Sequence, residues 1–361
     1  VDAAELRGRA RAAWSLPRVD GSDRVRAAVI AGVLAFALLV LPGMLSDYWT
    51  DVSTNVAIYT MVALGLGILM GRVGLVSLGQ VALLAIGGWI GARLLFATGL
   101  PFPGVLLLTG LITMVIGTII GLPALRLSGL DLALITLMLA GAITVVIAAT
   151  DFPNGGGGFL GHTESAAGGT SARRPAIGHS VTGFYRYTVV VMALMFLLAL
   201  VHVRGRPGRA WAAIRQSEPA ALAAGINVTV YKLWALALAS FMTGVAGALL
   251  ASDVGHLFNL QFPTQDNISL LAVCLMGGIY SLWGALVAGI LFKLLPALLD
   301  NWGLPADLLT IIFGVGILQV LLTAPAGLVE QFPKDMARLG RLIGRLIGRG
   351  GRQTADAAKP P

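Results

Sequence analysis

Residues 102–121 read Phe102-Pro-Gly-Val-Leu-Leu-Leu-Thr-Gly-Leu-Ile-Thr-Met-Val-Ile-Gly-Thr-Ile-Ile-Gly121, twenty positions without a charge. As a helix rising about 1.5 Å per residue, that stretch is about 30 Å long, the thickness of a bilayer's hydrocarbon core. The same ruler marks ten spans: 27–45, 52–70, 76–97, 102–121, 129–150, 185–203, 231–252, 266–280, 283–299 and 305–323. The eighth and ninth share one long run, 266–299, broken only by Gly277, Gly278 and the Tyr280–Ser281 step. That run can be one tilted helix, two short ones, or a helix with a re-entrant partner. Composition agrees with the ruler: of 361 residues 57% are hydrophobic and 12% charged, with mean hydropathy +0.86. Soluble domains carry about a quarter charged residues. A soluble enzyme, a nucleic-acid binder, a disulfide scaffold and a disordered chain are excluded. The fold expected is all-α, a polytopic bundle of about ten transmembrane helices.

The net charge of +8 is explained by where the bases sit. Lys and Arg accumulate in cytoplasmic segments close to the membrane. Arg7, Arg9, Arg11, Arg18, Arg24 and Arg26 precede the first span, and Arg72 and Arg126 follow the second and fourth. The loop after the sixth holds Arg204, Arg206, Arg209, Arg215 and Lys232; the tail holds Lys334, Arg338, Arg341, Arg345, Arg349, Arg352 and Lys359. Connections 46–51, 253–265 and 300–304 carry acids and no Lys or Arg. Both termini are therefore expected on the cytoplasmic side of the inner membrane. An even number of crossings follows, which favours splitting 266–299 in two. Arg173 and Arg174 sit in the expected external loop 151–184, but long loops translocate largely regardless of charge. The expected organisation is a basic segment 1–26, a transmembrane domain 27–324 with a cytoplasmic loop 204–231, and a basic tail 325–361. No cleavable leader is expected before the first span.

No catalytic constellation and no metal site is read. Cys274 is the one cysteine, and His162, His179, His202 and His256 lack zinc-ligand spacing. No G-x-x-x-x-G-K-[S/T] phosphate loop occurs. Gly67–Gly71, Gly87–Gly91 and Gly117–Gly121 are G-x-x-x-G pairs suited to close helix packing in lipid. A short echo links Gly71-Arg-Val-Gly-Leu-Val-Ser77-Leu-Gly79 with Gly277-Gly-Ile-Tyr-Ser281-Leu-Trp-Gly284. Polar groups within spans are costly and often line a path. Ser77, Gln80, Thr136, Thr144, Asn267 and Ser269 are the candidates for a substrate path. Ser and Thr can also bond back to their own helix, whereas a glutamine amide has more groups than its own helix satisfies. Asp131 suits a helix N-terminus. Lys293 can pair with Asp300 or point into the bundle. In the tail, bases at Arg341, Arg345 and Arg349 fit either an interfacial helix on anionic lipid or disorder.

The loop 204–231 is the stretch a purely structural bundle does not need. It begins Arg204-Gly-Arg-Pro-Gly-Arg-Ala-Trp-Ala-Ala-Ile-Arg-Gln-Ser-Glu218-Pro-Ala-Ala-Leu-Ala-Ala-Gly225. One or two short helices outside the bilayer are expected. Ser217 can cap a helix whose first turn is Glu218-Pro219, and Gly225 can end it. A rigid helix between two spans is a lever for a partner that grips it.

Glu218-Pro-Ala220-Ala221-x-x-x-Gly225 resembles the E-x-A-A-x-x-x-G loop of ABC importer permeases, and Gly208-Arg209-Ala210-Trp-Ala-Ala213-Ile214-Arg215 resembles the G-R-A-x-x-A-I-R segment of their branched-chain amino-acid branch. Gly74-Leu-Val-Ser77-Leu78-Gly79-Gln80, Leu130-Asp-Leu-Ala133-Leu-Ile-Thr136-Leu137, Asn154-Gly155-Gly-Gly-Gly158, Gly277–Gly284 and Pro325-Ala-Gly327-Leu328 resemble further blocks of that family, in order. The match departs at Gly278-Ile279-Tyr280, where the family has Gly-x-Gly, and in the longer 151–184 loop.

The resemblance implies a permease subunit of an ATP-driven importer for branched-chain or related small amino acids, and not an enzyme. It further implies a second homologous permease, two ATPase subunits carrying ATP and Mg, and a periplasmic or lipid-anchored binding protein, with no cofactor on this chain and no nucleic acid. Arg209, Ile214, Arg215, Gln216, Glu218, Ala220, Ala221 and Gly225 fall on the segment that meets the ATPase. Glu218 and Arg215 would be its polar contacts. Alternative readings are a permease for urea, amides or aromatic acids, or an ion-coupled secondary transporter or channel.

Overall fold

A computed structural model of the chain describes residues 34–124, 129–149, 180–255 and 261–303, with isolated positions elsewhere. Among the described residues every regular element is a helix. The chain divides into two units, 1–46 and 47–361. In the first, residues 34–39 are helical and are followed by a helical turn, α1 (Leu41–Met44), with Pro42 in its opening turn. The second holds α2 (Asp47–Leu66, continued as a π-helical turn Gly67–Val73), α3 (Gln80–Ala97), α4 (Phe102–Ala124), α5 (Leu130–Ala149) and α6 (Val181–Arg204). There follow α7 (Arg206–Gln216), α8 (Glu218–Ala223), α9 (Val228–Val254), α10 (Gln265–Gly277), α11 (Leu282–Gly289, continued as a π turn Ile290–Leu294) and α12 (Leu295–Asn301).

Seven described helical stretches are long and apolar enough to cross a membrane: Asp47–Val73, Gln80–Ala97, Phe102–Leu122, Asp131–Ala149, Val181–Arg204, Val228–Val254 and Leu282–Asn301. They correspond to seven of the ten expected spans. The run 266–299 is two helices, divided at Gly278, whose φ of +107° only glycine adopts readily. The first of the two, α10, has 13 residues and is about 20 Å long, short of a full crossing. The expected span 305–323 lies largely, and 27–45 partly, outside the described residues, as do most of the loop 151–184 and both basic ends.

The centre of the second unit is α9, buried along most of its length between α3 and α4. Lipid tails are as apolar as leucine, so helices gain little by hiding apolar surface from them. Close van der Waals approach must hold them together instead. The sequence supplies it with small residues. Gly87 faces Gly244, and Gly91 faces Ala248 so closely that a Cβ at 91 would lie 2.7 Å from the Ala248 Cα. Gly117 and Gly121 seat Ser240 and Leu236 of α9 in the same way. Away from α9, Leu107, Leu111, Val115 and Ile119 of α4 are exposed at four-residue spacing, one apolar stripe along a helix face.

The two halves of the sequence echo pack on each other. Gly71, in the π turn of α2, abuts the Ile279 carbonyl. Each half contains a glycine of positive φ, Gly74 and Gly278, followed three positions later by a serine and then a new helix.

At residue 91 the neighbouring atom is backbone and cannot swing aside. Gly91→Leu is expected to cost about 1–3 kcal/mol or more and to lower the thermal unfolding midpoint in detergent. Gly99→Leu, with open space around residue 99, is expected to leave it unchanged.

Candidate coupling loop and membrane cavity

The loop between α6 and α9 is built by local rules. Pro207 sits in the first turn of α7, where a missing N–H costs nothing. The Ser217 hydroxyl accepts from Ala220 N–H at 3.3 Å, opening α8 on Glu218-Pro219. At its far end Gly225 has φ +78°, its N–H reaches Leu222 O at 2.9 Å, and Ile226 N–H reaches Ala221 O at 3.0 Å. This paired closure satisfies helix-end carbonyls and needs a left-handed residue at that point. Asn227 then caps α9 through Val230 N–H.

Tertiary contacts fix this short unit. Trp211 is fully buried and its Nε1–H donates to Tyr231 O at 2.9 Å, bolting α7 to the first turn of α9. Ile214 and Ala221 are also buried against the bundle, whereas Arg209, Gln216, Ala220 and Gly225 are exposed. Glu218 is half-exposed and pairs with the buried Lys232 ammonium of α9. Arg215 is exposed too, but it lies along the bundle surface: its Nη1–H donates to the Gly71 carbonyl, and its guanidinium carbon lies 4.3 Å from the centre of the Tyr280 ring. Trp211 and Lys232, read in the sequence only as part of the loop, thus become its anchors, and Gly71 and Tyr280 join the site although no spacing rule in the sequence links them to the loop.

A cavity of about 230 Å³ lies among α3, α4, α5 and α9. Its walls are aliphatic side chains and glycines, with Ser77 and Thr136 as the hydroxyl-bearing residues. Ser77 is in the non-helical connection ahead of α3, not on a helix as the span 76–97 had it. Thr136 donates to Ala133 O at 3.0 Å and accepts from Leu78 N–H at 2.9 Å, holding that connection against α5. The other four path candidates lie elsewhere. Gln80 is buried, accepts from Thr243 at 2.8 Å, and leaves its Nε2 without a partner among the described residues. Asn267 accepts from Val81 N–H at 2.9 Å, capping α3 from α10. Thr144 bonds back to Ala140 O at 3.0 Å, beside Thr264. Ser269 is half-buried on α10, off the cavity.

Lys293 points into the bundle, its ammonium 4.1 Å from the centre of the Tyr59 ring. Among the described residues no group of three His, Cys, Asp or Glu is placed to hold a metal.

Residues 48–321 match the family model described as the permease component of branched-chain amino acid transport systems. The match includes the loop and the cavity and stops short of both basic ends. The chain is 29% identical over 294 residues to the high-affinity branched-chain amino acid transport system permease protein LivM of Salmonella typhimurium, covering 76% of this chain and 69% of that protein. It is 28% identical to the Escherichia coli protein of the same name, with the same coverage. No solved structure matches the chain.

Asn267 has the geometry of a cap, so its loss is expected to act on stability first. Asn267→Ala would orphan a buried N–H at about 1–3 kcal/mol and lower the detergent unfolding midpoint. Ser269→Ala is expected to leave the midpoint unchanged.

Proposed function

The chain belongs to the branched-chain amino acid transport permease family, and from that premise we propose that it is one membrane subunit of an ATP-driven importer for branched-chain or related small amino acids. ATP hydrolysis resides in separate ATPase subunits, a second homologous permease completes the path, and a binding protein delivers substrate from outside. The loop 204–231 faces the cytoplasm, as its arginines favour. The observation that carries this reading is the construction of α7 and α8. Two short capped helices are fixed to the bundle by Trp211, Ile214 and Ala221, and present Arg209, Gln216 and Ala220 outward. Such a unit has its ordering cost met in advance and offers a partner a preformed surface. Small residues on the outer face let that partner approach closely.

The cavity supports the substrate class. Aliphatic walls with two hydroxyls suit a branched hydrocarbon side chain better than urea or an amide, whose polar atoms would lose water without replacement. The permease alternates between inward- and outward-open states, and the ATPases shift that balance by binding one state better. An ion-coupled carrier of its own would need a titratable relay across the spans. Against that reading, Lys293 is seated on an aromatic ring.

The test uses the complex as it is purified from membranes. Ala220→Arg alters an exposed position that no described contact needs. It is expected to lower leucine uptake about tenfold or more, with the ATPase lost from the complex and membrane insertion intact. Normal ATP-driven uptake by this variant would contradict the docking surface. Leucine uptake driven by an ion gradient, by the chain alone, would contradict the whole reading.

A further inference from the structure

We propose that Arg215 is the positioning residue that ties the coupling loop to the cavity wall, acting through the end of α2 and the Tyr280 turn; the proposal rests on the ATP-driven reading above. Arg215 stands in the last turn of α7, on the surface of the bundle, where an arginine would ordinarily extend into water. Its side chain instead meets three separate pieces of chain. The guanidinium donates to the Gly71 carbonyl, lies over the Tyr280 ring at 4.3 Å, and its stem passes against Gly74. Carbonyls near a helix C-terminus carry partial negative charge and attract a cation, and an aromatic face adds to that attraction. The planar guanidinium does both at once, which a lysine ammonium does poorly.

What Arg215 grips is already a junction. Gly71 sits directly on the Ile279 carbonyl, and any side chain there would overlap it. The π turn of α2 and the turn Gly278–Ser281 therefore move as one body, and Arg215 holds both. The chain leaves α2 at Gly74, whose φ of +87° turns it into the non-helical connection. Three residues on, Ser77 lines the cavity, and Leu78 N–H is held by Thr136 of α5. Arg215, Gly74, Ser77 and Thr136 form an unbroken physical chain from the loop to the cavity.

The loop's other anchor gives this chain a direction. Trp211, one turn before Arg215, is bolted to α9, the helix clamped by α3 and α4. A force on the exposed face of α7 and α8 rotates the loop about Trp211. Arg215, one turn further along the same helix face, transmits the displacement to the α2 junction. Arg209, Gln216 and Ala220 take the load, and Arg215, through its contacts with Gly71 and Tyr280, passes it on.

The experiment reads leucine transported per ATP hydrolysed by the complex, purified with its ATPase subunits and reconstituted in liposomes. Tyr280→Leu is expected to lower that ratio about tenfold while ATP hydrolysis and co-purification of the ATPase persist. Tyr280→Phe, which keeps the aromatic face, is expected to match the native ratio. Arg215→Gln is expected to lower the ratio as far as Tyr280→Leu, Arg215→Lys less, and the Arg215→Gln/Tyr280→Leu double variant no further than either single one. An unchanged ratio in Tyr280→Leu overturns the tie even if Arg215→Gln does not assemble. Loss of the ATPase in Arg215→Gln with Tyr280→Leu normal makes Arg215 a docking contact, which overturns the tie and leaves the importer reading standing. A native complex with no ATPase and no ATP-dependent uptake removes the importer reading, and the tie with it.

Discussion

Backbone-to-backbone approach along α9 is the contact on which the rest of the second unit depends. Lipid offers helices no reason to hide apolar surface, so a bundle holds only where atoms come close enough for dispersion to accumulate. Gly87 against Gly244 and Gly91 against Ala248 bring α3 onto α9, and Gly117 and Gly121 bring α4 onto its neighbouring face. The result is one immobilised helix with two close partners. Everything that follows is referred to it: Trp211 bolts the loop to its first turn, Lys232 rises from it to Glu218, and Leu236 forms part of the cavity wall.

Polar groups do the complementary work of holding what is not helical. Between α2 and α3 the chain is not helical, so its N–H groups need partners that lipid does not supply. Thr136 takes Leu78 N–H and Asn267 takes Val81 N–H, one from α5 and one from α10. The non-helical connection is thereby held at Leu78 and the first turn of α3 at Val81, and the cavity opens at Ser77. Irregular backbone at membrane depth persists where it lines a cavity, and this arrangement fits that pattern. The structural and functional readings of these residues are the same fact viewed at two scales: the group that satisfies the backbone also sets the shape of the wall.

Much of this was legible in the sequence, for a physical reason. Span length is dictated by bilayer thickness, and caps act within four residues, so the apolar runs, Ser217 and Gly225 could be read locally. The break in 266–299 was visible as Gly277–Gly278, although not that the first piece would be only 13 residues. Long-range pairings carried no such signal. Arg215 and Gly71 are 144 residues apart, and Asn267 and Val81 are 186 apart. Neither contact alters any periodicity. Polarity alone therefore grouped Asn267 and Thr144 with Ser77 and Thr136, although the first caps a helix and the second bonds back to its own. Lys293 could pair with Asp300 or point into the bundle; it points into the bundle and meets an aromatic ring on α2, which charge counting does not see.

The central claim is that the loop between α6 and α9 receives force from a nucleotide-driven partner. Electron cryomicroscopy of the complex extracted intact from its native membrane tests this most directly. The account predicts an ATPase subunit seated over α7 and α8, covering Gln216 and Ala220, with the Arg215 guanidinium still over the Tyr280 ring. A well-resolved map in which those two helices are bare, in a complex that nonetheless imports its amino acid, would contradict it.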